Sequence, residues 1–306
     1  MNNLSNQQKG SLMAFVAIMF ITPDSLLIRL SNIDTWGMLF YRGAIPFLVV
    51  FVGLLLFYKN NFLKALFKIG YPGIFYVISF SICNITFIIS IQNTNVANTL
   101  LMVALAPMLS AILGAIFLKE KPDNKTWIAI IITFIACVYI FYDSLSLGNF
   151  YGDLFGLITS FGLACNANIA RYAKSTDLVP AAVIGKSCVA IFAFFFVKDF
   201  ALVGNDLFYI PLMCVMCGAI PFVLVTIAPR FITAAEVNLF FLLETILGPL
   251  WVWMVIKEQP SPETIYGGIV IIITIAIHSL LAIKKHKPKL PSEELLNFKN
   301  KTCKKK

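Results

Sequence analysis

The sequence predicts an all-α integral membrane protein whose ten transmembrane helices form two inverted five-helix repeats, with both termini in the cytoplasm. Of its 306 residues, 59% are hydrophobic and 13% are charged, whereas a soluble domain is roughly 45–50% apolar and about 25% charged. The apolar residues form runs of about 18 or more, the length that crosses roughly 30 Å of hydrocarbon. These observations exclude a water-soluble fold, and a sequence repeat together with the distribution of basic residues sets the arrangement of the helices.

The apolar runs are read as helices because they are much longer than the roughly 9–11 residues of a membrane β-strand. The predicted helices cover residues 10–30, 36–58, 69–91, 96–118, 126–142, 152–172, 180–197, 208–228, 236–256 and 264–283. Prolines within them are expected to kink helices that pack against protein, because lipid cannot satisfy the freed backbone groups. These prolines are Pro23, Pro46, Pro107, Pro221 and Pro249.

Lysine and arginine are concentrated in every second connection between the predicted helices, which orients the chain. If residues 1–9 are cytoplasmic, the external loops contain only Arg29, Lys198 and Lys257, as the positive-inside rule requires. The basic tail at residues 284–306 is expected to contact anionic lipid rather than nucleic acid. The sequence thus predicts a multi-pass protein of the inner (cytoplasmic) membrane whose first helix is retained.

The chain repeats itself at an offset of 138 residues. Residues 97–126 align without gaps to residues 235–264, and both segments end a helix with the same polar turn. The aligned turn residues are Lys119, Glu120 and Pro122 in the first segment and Lys257, Glu258 and Pro260 in the second. A weaker register at offset 142 places Asp24 on Asn166 and Arg29 on Arg171.

The two registers divide the chain into a first repeat at 10–142, an external linker at 143–151 and a second repeat at 152–283. Because each repeat has an odd number of predicted helices, the two must enter the membrane from opposite sides. Such inverted repeats are typical of secondary transporters, in which exchanging the conformations of the halves gives alternating access.

The same motifs resemble the EamA family of the drug/metabolite transporter superfamily. They are LKEKP at 118–122, IKEQP at 256–260, TPDSLLIRL at 22–30, FYRG at 40–43, ALAP at 104–107 and LLET at 242–245. The resemblance covers residues 11–281 and implies a transporter, more often an exporter, without naming the solute. Many members have proline directly after the glutamate of the ninth helix, where this chain has Thr245 and a proline only at 249.

Ionisable residues within the apolar runs are the main functional candidates, because a charge in hydrocarbon needs a partner or a water-filled cavity. Glu244 is expected about 12 Å from the cytoplasmic end of its helix, at about 1.5 Å per residue. Burial favours the neutral carboxyl, as a proton-coupling group requires. The alternative is a structural hydrogen bond to a neighbouring helix.

Asp24 and Arg42 are predicted at similar depth on adjacent helices and are expected to form a salt bridge. The sequence does not decide whether this pair is a structural clamp or part of a gate and anion site. Lys186 either meets a substrate carboxylate or extends its stem to the interface.

Neutral polar and aromatic residues extend the candidate site. Asn84 and Asn166 either line a pathway or hold helices together by hydrogen bonds, and Trp251 either lines a cavity or packs. Cys214 and Cys217 have the spacing of a metal or redox motif, but they lie in an apolar run without a second pair, so we expect core packing.

The sequence therefore predicts a secondary transporter that exports a small polar metabolite, an amino acid or related compound, with proton coupling left open. An uptake exchanger for a nucleoside-, vitamin- or S-adenosylmethionine-like compound is the alternative within transport. An intramembrane enzyme is disfavoured because no catalytic motif is recognisable. The expected partners are a small solute, lipid and, if coupled, protons; a homodimer stays open, and no cofactor, metal or nucleic acid is expected.

Overall fold

The computed structural model describes residues 6–59, 68–119, 128–129, 131–133, 135–136, 138–139, 142 and 150–285. Within these residues the regular elements are helices, and no strand occurs. The first half contains α1 (Asn6–Ile21), α2 (Asp24–Leu30), α3 (Thr35–Tyr58), α4 (Gly70–Asn93), α5 (Val96–Val103) and α6 (Ala106–Phe117), and the described residues between 128 and 142 are also helical. The second half contains α7 (Phe150–Tyr172), α8 (Val179–Phe194), α9 (Asp206–Leu212), a π-helix (Met213–Ala219), α10 (Ile220–Ile227), a 3-10 turn (Ala228–Arg230), α11 (Ala234–Ile256) and α12 (Pro262–Lys285).

Six helical segments within the described residues are long and apolar enough to cross a membrane. They are Gln7–Leu30, Thr35–Tyr58, Gly70–Asn93, Val96–Phe117, Asp206–Arg230 and Ala234–Ile256. The prediction of an all-helical chain with several membrane spans is therefore confirmed. α7 is not among the six, although it is 23 residues long. Its Asp153, Asn166, Asn168 and Arg171 make it more polar than the others. The count of ten and the inversion of the halves stay predictions.

Helix ends follow local capping chemistry. The Asp34 carboxylate accepts hydrogen bonds from the first turn of α3, and Thr233 with Glu236 forms a capping box at the start of α11. These side chains satisfy backbone N–H groups that have no partner within the helix. Sequence-local signals thus fix where these two spans begin.

Two of the predicted proline kinks are breaks between helices. Pro23 separates α1 from α2, and the Thr22 hydroxyl donates to the Met19 carbonyl at 3.1 Å, the carbonyl that a residue at position 23 would otherwise bond. Two residues separate the end of α5 from the start of α6, and Pro107 is the second residue of α6. Pro46 and Pro249 lie inside the continuous helices α3 and α11.

Close helix contacts place the middle of α8 against α3. A Cβ atom on Gly43 would lie 2.6 Å from the Ala190 nitrogen and 2.8 Å from the Lys186 carbonyl oxygen. Only glycine allows this approach of two helix backbones. α4 also packs closely along α7, where a Cβ atom on Gly162 would lie 2.8 Å from the Cβ atom of Cys83.

Buried apolar residues in the described part of the chain form four clusters, and two of these lie toward opposite ends of the helices. The cluster at the predicted outer end includes Leu27, Met38, Ile88, Leu100 and Ile210. The cluster at the predicted inner end includes Leu54, Tyr76, Ala170, Leu178 and Phe222. The helix segments between these clusters carry the buried charges described next.

Candidate functional site

A cavity of about 120 Å³ lies between the two halves. Its wall is formed by the end of α1 and by α2, α3, α4, α5, α7, α8, the π-helix, α10 and α11. The walls are largely apolar, with aromatic rings at Phe80, Phe87, Phe222 and Phe241. Its polar side chains are Asp24, Arg42, Asn84, Thr159, Asn166, Lys186 and Glu244. The cavity therefore brings together six of the predicted site residues.

Asp24 and Arg42 form the predicted salt bridge on one side of this cavity. Nη1 of Arg42 donates to Oδ1 of Asp24 at 2.5 Å, with side-chain exposures of 11% and 2%. Asp24 is the first residue of α2, directly after the proline break, so the break aims its carboxylate at α3. The guanidinium also lies over the Phe87 ring, 5.9 Å from its centroid. The two charges neutralise each other within the wall.

Lys186 lies at the middle of α8 and is 4% exposed. Its ammonium donates to Oδ1 of Asn84 at 2.6 Å and lies between two rings, 5.6 Å from the centroid of Phe80 and 5.8 Å from that of Phe222. Cation–π contacts of this kind favour a cation at a desolvated site. The side chain therefore points into the cavity rather than to a membrane interface, and Asn84 holds it there.

Glu244 lies at the middle of α11 and is 3% exposed. Among the residues that the structure describes, its carboxyl group has no hydrogen-bond or ion-pair partner. The adjacent Thr245 makes the interhelical bond instead, donating to the Leu100 carbonyl at 3.2 Å. Glu244 thus faces the cavity with its hydrogen-bonding capacity unused.

Comparison with known proteins finds a family that is similar to the first part of the chain. A sequence model of the EamA-like transporter family matches residues 8–142. The match covers 135 of the 306 residues, and this segment is similar to that family. Together with the apolar helices, the match supports a membrane transporter of the drug/metabolite type.

The remaining comparisons concern the fold alone. No curated protein matches the chain by sequence. A solved structure described only as "Crystal structure of protein" has a TM-score of 0.68 at 14% sequence identity, over 90% of this chain and 99% of its own. The likeness extends over both halves and so beyond the EamA-like segment, residues 8–142.

Many residues that line the cavity are separated in the chain by the two offsets of the predicted repeat. Six pairs of lining residues differ in number by 138, and four by 142. The first set is Ile21 and Thr159, Phe80 and Gly218, Cys83 and Pro221, Asn84 and Phe222, Phe87 and Val225, Val103 and Phe241; the second is Ile21 and Leu163, Asp24 and Asn166, Phe80 and Phe222, Cys83 and Val225. Sequence reasoning missed most of these residues, although the 138-residue offset applied to Asn84 would have found Phe222.

Asn166 and Trp251 differ in their placement. Asn166 is 7% exposed and lines the cavity, and its Oδ1 atom has no hydrogen-bond partner in the described part of the chain. Trp251 is 42% exposed and does not line the cavity. Cys214 and Cys217 are buried free thiols, of which Cys217 reaches the cavity wall.

The Lys-Glu-x-Pro turns share a backbone feature. Lys119 after the EamA-like helix α6 has φ 57°, and its counterpart Lys257 at the end of α11 has φ 64°. Glu120 and Pro122 lie outside the described residues, and Pro260 follows the second turn without helical structure. Both helices therefore end with a lysine in the left-handed conformation.

The second turn holds three segments together at the predicted outer end. Oε2 of Glu258 lies 3.3 Å from Nε of Arg29, and Oε1 accepts from the Val96 nitrogen at 3.0 Å. Nη2 of Arg29 donates to the Thr94 carbonyl at 2.6 Å. The turn after α11 is thereby tied to the end of α2 and to the start of α5.

Proposed function

We propose that the chain is a secondary active transporter that works by alternating access and exports a small polar metabolite of amino-acid type across the cytoplasmic membrane. The observation that carries this proposal is the cavity between the halves, in which the ammonium of Lys186 and the carboxyl group of Glu244 have no ion-pair partner among the described residues. A membrane transporter needs a solute site at membrane depth that both sides can reach in turn.

The charges of the cavity favour a zwitterion. Asp24 and Arg42 neutralise each other at 2.5 Å, which leaves the ammonium of Lys186 and the carboxyl group of Glu244. A buried charge without a partner is costly, and a solute that carries both an anionic and a cationic group would compensate both. Amino acids and related compounds have this charge pattern.

The size of the cavity favours a small solute. Its volume of about 120 Å³ is well below the roughly 300–1,000 Å³ of pockets that take drug-sized ligands. The aromatic rings of Phe80, Phe87 and Phe222 supply apolar surface for a side chain. These rings also support the second candidate, an uptake exchanger for a nucleoside- or S-adenosylmethionine-like compound, because bases stack on aromatic faces.

Glu244 is the proposed coupling group. Its carboxyl lies in the cavity at the middle of α11 without a partner among the described residues, so its charge state is free to follow what occupies the cavity. A proton and the cationic end of a solute would both relieve the buried carboxylate. Competition between them at one site couples proton movement to solute movement.

The proposal is tested with purified protein in proteoliposomes. Labelled amino acids and nucleosides are screened for flux with and without a pH gradient, in protein-containing and protein-free vesicles. We expect saturable flux of at least one amino acid and a change in its rate with the gradient. Flux confined to nucleosides would favour the exchanger, and failure of every solute under every gradient would contradict transport.

A further inference from the structure

The two halves supply matched cations to the cavity but unmatched acids. In the first half, Arg42 of α3 pairs with Asp24 of α2 at 2.5 Å. At the 142-residue offset, the position of Asp24 in the second half is Asn166, and Lys186 is within two residues of the equivalent of Arg42. The second half therefore keeps its cation and replaces the neutralising carboxylate with an amide.

Lys186 has no carboxylate partner within the described residues. Its one hydrogen bond goes to the neutral Oδ1 of Asn84 at 2.6 Å, and the rings of Phe80 and Phe222 occupy two of its sides. An ammonium group can donate three hydrogen bonds. Donor capacity thus remains directed at the cavity.

Asn166 adds a second unused polar group to the same wall. Its side chain is 7% exposed, and its Oδ1 atom has no partner in the described part of the chain. An amide can present either its oxygen or its NH2 group, since the two are related by a flip of the side chain. It can therefore donate to an anion bound beside Lys186.

We infer that Lys186, Asn84 and Asn166 form a receptor for the carboxylate group of the transported solute, which takes the place of an acid at position 166. Lys186 supplies the charge, Asn84 positions its ammonium group, and Asn166 donates to the anion. Among the described residues that line the cavity, Lys186 is the cation without a carboxylate partner, because Arg42 is already engaged by Asp24. A single unpaired positive charge matches a monoanion. The inference rests on the proposed function and names the solute group that this site recognises.

The decisive variant is Asn166→Asp, which supplies the missing acid from the chain itself. The carboxylate introduced at position 166 would pair with Lys186 as Asp24 pairs with Arg42, and it would repel a solute carboxylate. Lys186→Gln removes the charge, Lys186→Arg retains it, and Asn93→Asp places the same amide-to-acid change on an exposed residue outside the cavity.

Binding to the purified full chain is measured as the shift of its thermal unfolding midpoint in detergent. The probes are the common L-amino acids, simple hydroxy acids and keto acids, and the methyl ester of each compound that shifts the midpoint. We expect at least one acid to shift the midpoint and its ester not to. We expect at least a tenfold weaker apparent affinity in Asn166→Asp and Lys186→Gln, a smaller loss in Lys186→Arg, which retains the charge, and a value close to that of the unmodified chain in Asn93→Asp.

Several outcomes would overturn the inference. It is contradicted if no carboxylate-bearing probe binds, if an acid and its ester bind equally well, or if Lys186→Gln binds as well as the unmodified chain. If Asn166→Asp does not fold, Lys186→Gln against Lys186→Arg carries the test alone. Saturable flux of a solute without an anionic group would overturn this inference and leave the transporter proposal standing, whereas absence of all flux in proteoliposomes contradicts the transporter proposal.

Discussion

Removing the carboxylate of Asp24 should strongly destabilise the protein. In Asp24→Asn the guanidinium of Arg42, whose side chain is 11% exposed, keeps its charge and loses its ion-pair partner. Breaking a buried pair by removing one partner costs about 3–5 kcal/mol. We expect a loss of this size in the free energy of unfolding, measured by circular dichroism in mixed detergent micelles.

A double-mutant cycle separates the ion pair from general damage to the wall. Asp24→Asn combined with Arg42→Gln leaves two neutral groups, so the double variant should be more stable than the sum of the single losses predicts, by roughly 0.5–3 kcal/mol. Asp34→Asn is the matched control, because Asp34 is exposed and asparagine also caps helices; it should change stability by less than about 0.5 kcal/mol. Additive single losses, or a cost below about 1 kcal/mol for Asp24→Asn, would refute the buried pair as a stabilising unit.

Three further changes test other parts of the structure. Glu244→Gln removes the ionisable group at the cavity, so solute exchange should persist while a pH gradient no longer drives net flux; an unchanged response to the gradient would exclude coupling through this residue. Glu258→Ala removes both the ion pair with Arg29 and the cap on α5, and it should lower the free energy of unfolding by about 1 kcal/mol. Glu258→Gln should retain most of the cap. Equal unfolding midpoints of the two variants would contradict this role of Glu258. Gly43→Ala should lower the free energy of unfolding by roughly 1–3 kcal/mol, because the added methyl group forces α3 away from α8. The control is Gly53→Ala, where a Cβ meets nothing within 4 Å, and it should be neutral or stabilising by up to about 1 kcal/mol. Similar stabilities of the two variants would rule out the close contact.

Ionisable residues in the membrane-spanning helices were the easiest to identify from the sequence, because an unpaired charge in hydrocarbon is energetically costly. Asp24, Arg42, Lys186 and Glu244 interrupt long apolar runs, and each must find a partner or a cavity. This constraint predicted the Asp24–Arg42 pair, because similar depth on adjacent helices leaves few alternatives. The ionisable site was therefore largely predictable from residue type and depth.

The partner of Lys186 could not be predicted in the same way. Its hydrogen bond to Asn84 joins α8 to α4, and the two residues are 102 positions apart in the chain. The bond therefore depends on how these two helices are rotated and tilted relative to each other. Helix periodicity gives the faces of one helix, but not which faces meet. The aromatic walls were missed for another reason: with 28 phenylalanines in the chain, no single ring is distinguished by its sequence.

Prolines mark where a helix is able to bend, without fixing whether it breaks. Pro23 and Pro107 lie at breaks, whereas Pro46 and Pro249 lie in continuous helices. The difference depends on tertiary contacts around each proline, which absorb the missing hydrogen bond. The π-helix before Pro221 left no sequence signal beyond the proline itself.

Alternating access of the cavity between the halves is tested most directly by counterflow in proteoliposomes. Vesicles are preloaded with a high concentration of an unlabelled amino acid, diluted, and supplied with a trace of the labelled compound outside. An alternating-access carrier predicts transient accumulation of label above its external concentration, which is abolished by Lys186→Gln and retained in Lys186→Arg. Label that only equilibrates, or accumulation that is the same in Lys186→Gln, would contradict the account.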